Sequence, residues 1–107
     1  MEIRVGRVGG VGHYIGRNGK GSQSNLGNPF KPRERSIEAH QKVCKQYRVW
    51  LWEKICAKDA GVLGELEQII QEAKAPGGVT LQCFCSPLPC HGDVIKKAVV
   101  WLDSKAE

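Results

Sequence analysis

The stretch Leu81-Gln82-Cys83-Phe84-Cys85-Ser86-Pro87-Leu88-Pro89-Cys90-His91-Gly92-Asp93 carries the densest chemistry in the chain. Three of the five cysteines and one of the three histidines fall within residues 83–91. Thiol and imidazole donors this close together can chelate a metal or hold an activated thiolate. Cys83, Cys85, Cys90 and His91 have the composition of a structural zinc site. Their spacing differs from the usual knuckle of two residues between cysteines, and the adjacent Cys90 and His91 are awkward as joint ligands of one ion. A second reading makes Cys90 a nucleophile. In the first turn of a helix it would feel the positive end of the macrodipole, which lowers a thiol pKa, with His91 beside it as a catalytic partner. A third reading makes the backbone amides from Cys90 to Asp93 a phosphate site at a helix start, a role that the Asp93 carboxylate would oppose by repulsion. Burial as small hydrophobes is the fourth. It suffices for Cys44 and Cys56, which fall on a predicted helix, and explains the cluster less well.

Two segments in the first third are the other candidates. Gly16-Arg17-Asn18-Gly19-Lys20-Gly21-Ser22 resembles a phosphate-binding P-loop but fails its spacing. Arg17 keeps its value as a bidentate phosphate ligand. In Leu26-Gly27-Asn28-Pro29-Phe30 the proline restricts Asn28 to extended geometry and Gly27 allows a tight turn. Such a turn presents Asn28 to a ligand, or it only anchors Phe30 in the core. His13 and His40 are isolated and read as surface or satisfied polar groups. Trp50, Trp52 and Trp101 lie at or beside helical core spacings, which leaves at most one as an exposed stacking platform.

The elements that must position these residues follow from periodicity. Residues 2–8 alternate weakly, as an edge strand does, and residues 11–16 read as a short buried strand ending at Gly16. Residues 17–32 form a long glycine-rich loop. A helix is predicted over 36–58, capped by Ser36, with Val43, Tyr47, Trp50, Leu51 and Ile55 inward. Gly61 marks the break before a second helix over 62–75, whose inward side is Val62, Leu63, Leu66, Ile69, Ile70 and Ala73. Pro76-Gly77-Gly78 ends it. Residues 79–85 read as a strand, and a last helix starts at Cys90 or His91 with Val94, Ile95, Ala98, Trp101 and Leu102 buried. This order predicts an α/β layered fold: a short, mainly parallel sheet flanked by about three helices, a reduced relative of doubly wound sheets.

Composition bounds the function. The chain has 107 residues, enough for a single domain spanning residues 1–107. Neither a membrane-length apolar run nor a signal-peptide pattern is present, so a cytoplasmic protein is expected. An odd number of cysteines in that setting points to reduced thiols or metal ligands rather than a disulfide framework. Residues 1–35 hold seven basic and two acidic side chains and so carry the entire net charge of +5. Eight of the 13 glycines lie there too. A basic, glycine-rich segment suits phosphate groups, on a small molecule or on nucleic acid, and also suits a plain solvated loop.

Tyr14-Ile15-Gly16-Arg17, Leu26-Gly27-Asn28-Pro29-Phe30, Tyr47-Arg48-Val49-Trp50-Leu51 and Cys83-Phe84-Cys85 with Pro87 and Cys90-His91-Gly92-Asp93 together resemble the DUF4326 family of small bacterial and phage proteins. The resemblance covers residues 11–102 and leaves out the first ten. Phe84 stands where the family more often has tryptophan. The family brings no established activity, but the resemblance singles out Gly16-Arg17, Asn28-Pro29 and Cys90-His91. The expected function is binding, with or without processing, of a phosphate-bearing small ligand such as a nucleotide. Gly16, Arg17, Asn28, Pro29, Cys85 and Gly92 would bind it, and Cys90 and His91 would carry any catalysis. The alternative is a zinc-stabilised module that binds nucleic acid or protein without catalysis. The first reading requires the loops after residues 11–16 and 79–85 to open at the same sheet edge.

Overall fold

The computed structural model describes residues 1–7, 12–16, 24–27, 29–30, 34, 36–83 and 91–106, with the backbone alone at residues 7, 83 and 106. Among the described residues three strands, β1 (Ile3–Arg7), β2 (His13–Tyr14) and β3 (Val79–Cys83), and three helices, α1 (Ile37–Cys56), α2 (Ala60–Lys74) and α3 (His91–Ala106), make a mixed α/β fold. The strands are all parallel, in the order β1-β3-β2. The expected edge strand is therefore β1, and the strand beside the cysteine cluster is central. The register pairs Ile3 with Val79, Val5 with Leu81 and His13 with Leu81, so these residues share one face. Arg4, Thr80, Gln82 and Tyr14 share the other.

Both α2 and α3 pack on the Val5/Leu81 face. Helix α3 touches β1 and β3 directly, and α1 rests on α3 and α2. One core results, containing Ile15, Leu26, Tyr47, Leu51, Leu66, Ile69, Leu81, Ile95 and Val99 with side chains fully out of water. Each such aliphatic side chain contributes about 1.5–3 kcal/mol of transfer free energy. On the opposite face the chain enters β2 across the central strand. A Cβ on Gly12 would lie 2.7 Å from the Thr80 carbonyl oxygen and the Gln82 amide nitrogen, so only glycine fits there.

Local signals explain most helix ends. The Ser36 hydroxyl accepts from the Ala39 amide at 3.2 Å, which caps α1. Asp59 does the same for α2 through Val62 at 3.0 Å. Gly77 and Gly78, with φ of 88° and 70°, turn the chain from α2 into β3. The break between α1 and α2 is not at Gly61, which lies inside α2. It falls at Lys58, whose φ of 57° is left-handed. The Lys58 amide donates to Ile55 and the Asp59 amide to Lys54, a Schellman closure that normally uses glycine. Lys58→Gly is expected to stabilise the protein by about 0.5–1 kcal/mol, because relief of the left-handed strain outweighs the added freedom of the unfolded chain. Urea unfolding checks this; an unchanged or lower midpoint contradicts it.

Packing also corrects the predicted face of α3 and the number of tryptophans in solvent. Helix α3 buries Ile95, Ala98 and Val99, while Trp101 is 39% exposed. Trp52 is exposed as well, so two tryptophans reach solvent rather than at most one. Cys56 is exposed and Cys44 half-buried, so burial does not account for Cys56. Among the described residues no helix is long and apolar enough to cross a membrane.

Candidate functional site

Because the three strands run parallel, their carboxyl ends lie on one edge of the sheet. Pairing of His13 with Leu81 and Tyr14 with Gln82 brings the ends of β2 and β3 level. The Ile15 amide donates to the Gln82 carbonyl at 3.0 Å and extends the pairing toward Gly16. The strands that precede Arg17 and Cys85 therefore end at the same edge, which the phosphate reading requires. In open α/β sheets this edge is where ligands bind.

A buried polar thread ties the four sequence motifs together at that edge. His91, the first residue of α3, is 4% exposed and donates from Nε2 to the Ile15 carbonyl at 2.6 Å. Its ring packs against Tyr47 with centroids 4.9 Å apart. Tyr47 is fully buried, and its hydroxyl donates to the Leu26 carbonyl at 2.7 Å. Leu26, Tyr47, His91 and Ile15 thus connect the Leu26-Gly27 turn, α1, the start of α3 and the end of β2. Gly92 completes the arrangement: a Cβ there would stand 2.9 Å from Val5 and 3.1 Å from Ile15 side-chain carbons. The first turn of α3 consequently lies directly on the sheet.

The individual candidates fall out as follows. Gly16 is buried beneath the Tyr14 ring. Pro29 is exposed, and Phe30 is half-buried against the core. Arg17, Asn28, Cys85 and Cys90 lie outside the described residues, and Cys83 is placed only as the backbone end of β3. Among the described residues no group of three His, Cys, Asp or Glu side chains is placed to hold a metal. The hydrogen bond to Ile15 puts the proton of neutral His91 on Nε2 and its lone pair on Nδ1. Acid–base chemistry or metal ligation by His91 would therefore run through Nδ1. Gly92 has a packing role that needs no ligand.

A second cluster joins β2 to α2, and the sequence gives little sign of it. His13 Nε2 meets Glu65 Oε2 at 2.9 Å, and its Nδ1 meets Glu72 Oε1 at 2.6 Å. Two carboxylates facing both ring nitrogens require two N–H donors, which only the imidazolium has. Its pKa is accordingly raised above the ordinary 6.5, chiefly by the hydrogen bond to Glu65 against the opposing effect of burial. Glu65 also accepts from the Ser24 hydroxyl at 2.5 Å and from the Asn25 amide at 2.7 Å. Burial alone would raise the Glu65 pKa; the hydrogen bonds from His13, Ser24 and Asn25 outweigh it and hold it below 4.5. The cluster fastens β2 and the Ser24–Leu26 turn to α2. Its sequence trace is faint: Glu65 and Glu72 are two helical turns apart, on the side that carries Val62 and Ile69.

Neither the curated proteins nor the solved structures contain a match to this chain. The family match extends over residues 2–101 and so includes β1, which the sequence reading left outside the resemblance. Pairing of β1 with β3 along its whole length explains why those residues belong to the domain. The chain is thus a member of the DUF4326 family, a domain of unknown function.

Proposed function

We propose that this protein binds a phosphate-bearing small ligand, a nucleotide or nucleotide derivative, at the carboxyl edge of its sheet. The observation that carries the reading is the His91–Ile15 bond, which holds the start of α3 against the residue that precedes Gly16-Arg17. A helix start and a basic, glycine-rich segment at one strand edge are the parts from which phosphate sites are built. Arg17 would pair with the phosphate and Asn28 with base or sugar, and Cys90 would be the nucleophile if the ligand is processed. The setting would be the cytoplasm, where the thiols stay reduced.

The test is thermal unfolding against a panel of nucleotides, with inorganic phosphate as a control. A ligand at a hundred times its Kd stabilises by about 2.7 kcal/mol, which this method resolves easily. Wild type should shift and Arg17→Ala should not. Cys90→Ser should keep the shift and lose any turnover. No shift with any nucleotide at millimolar concentration sinks the proposal.

The zinc reading is the second one. The His91 tautomer favours it, since histidine ligands commonly donate their other nitrogen to a backbone carbonyl. Cys83, Cys85, Cys90 and Nδ1 of His91 would then hold the ion, which would lend stability rather than chemistry. About one zinc per chain in untagged protein, with chelator-sensitive unfolding, would support it. Metal-free protein with one fast-reacting thiol would leave the pocket reading alone.

A further inference from the structure

Trp52 on α1 and Trp101 on α3 are the largest apolar side chains left in solvent, 45% and 39% exposed. They meet edge to face with centroids 4.7 Å apart and an interplanar angle of 68°, so two helices jointly present one aromatic ridge. The exposed positions one helical turn away are Arg48, Val49 and Cys56 on α1 and Lys97, Ser104 and Lys105 on α3. That rim holds three cations and no carboxylate. Lys105 reaches over the Trp101 ring at 5.1 Å. Two acidic residues lie close by in sequence: Glu53, exposed next to Trp52, and Asp103, two residues from Trp101, which Lys74 holds at 2.7 Å.

An exposed aromatic pair costs solvation and is an anchor for association. We propose that this face is a docking surface for an acidic segment of another protein, with an apolar side chain seated on the tryptophans and carboxylates set against Arg48, Lys97 and Lys105. The composition matches interface anchors, where tryptophan and arginine are enriched. A second copy of the chain is the poorer occupant: two-fold pairing would place this cationic rim against itself. Nucleic acid is also poorer, because base stacking needs open ring faces, and here one ring abuts the other while Lys105 covers Trp101.

The surface lies on α1 and α3, away from the strand edge, so its test is independent of the nucleotide site. A random peptide library is selected on the full-length protein, with the double variant W52A/W101A as counter-target and a poly-dT oligonucleotide titrated in parallel. Enriched peptides should combine Asp or Glu with aromatic or aliphatic residues. They should weaken by about 30-fold or more on W52A/W101A, the size of an anchor loss. Reversing the rim with R48E/K97E/K105E should redirect selection toward basic peptides. All these positions are exposed, and unfolding midpoints confirm that the variants stay folded. Peptides that bind W52A/W101A as well as wild type overturn the proposal, as does a library that yields none. So does oligonucleotide binding lost in the same variants, or wild-type dimers in sedimentation that W52A/W101A dissolves.

Discussion

His91→Ala should cost about 3–5 kcal/mol of stability, a large share of the roughly 5–15 kcal/mol that holds a domain of this size together. Three losses add. The Ile15 carbonyl loses a buried side-chain donor, worth about 1–3 kcal/mol. The contact with the Tyr47 ring goes, worth about 0.5–1.5 kcal/mol. An unfilled space remains where a ring was 4% exposed. His91→Phe keeps most of the packing and loses the hydrogen bond, so it should recover part of the stability. Urea unfolding of both variants measures this directly. The pair also separates roles for His91. If both retain wild-type midpoints while ligand turnover vanishes, His91 is chemical and the thread described above is not what positions α3.

The second large effect lies in the acid–imidazole cluster. Glu65→Ala should cost about 2–4 kcal/mol, since it leaves the His13 ring and the Ser24 hydroxyl, both partly buried, without their shared acceptor. Glu72 is more exposed and its replacement should cost less. The pH dependence has a definite sign. His13 has a folded pKa above 6.5, so its contribution is full below 6.5 and is lost as pH rises through the folded value. Glu65 has a folded pKa below 4.5, so its contribution is full above 4.5 and is lost as pH falls through the folded value. The cluster therefore contributes most between about pH 4.5 and 6.5. Stability should decline from pH 6 toward pH 8 in wild type, and His13→Gln should flatten that decline. An identical slope in the variant would show that His13 does not hold its proton more tightly in the folded state.

These two clusters also mark what can be read from a linear chain. His91 stood out because cysteines surround it, yet its partner Ile15 is 76 residues away and offers the sequence only a carbonyl. His13 reads as isolated in the chain, a satisfied polar group at most, because its acidic partners lie 52 and 59 residues on. No periodicity links a residue of a strand to two on a helix, so only packing of α2 on the sheet could bring them together.

Local chemistry alone determined a good deal. Ser36 and its bond to Ala39 start α1, and Pro76-Gly77-Gly78 stop α2, because capping and left-handed turns depend on a few adjacent residues. Strands alternating with helices implied parallel pairing, and parallel pairing implied that the strands before Arg17 and Cys85 end at one edge. Tertiary structure decided the rest. The helix break moved to Lys58 although Gly61 has the better propensity, because Asp59 caps the next helix. Helix α3 turned to bury Val99 and leave Trp101 outside, since two apolar stripes compete on that helix and the seating of Gly92 against Val5 and Ile15 fixes its rotation. Propensity and periodicity act over a few residues, whereas the rotation of a helix and the partners of a buried imidazole are set by surfaces that meet only once the chain has folded.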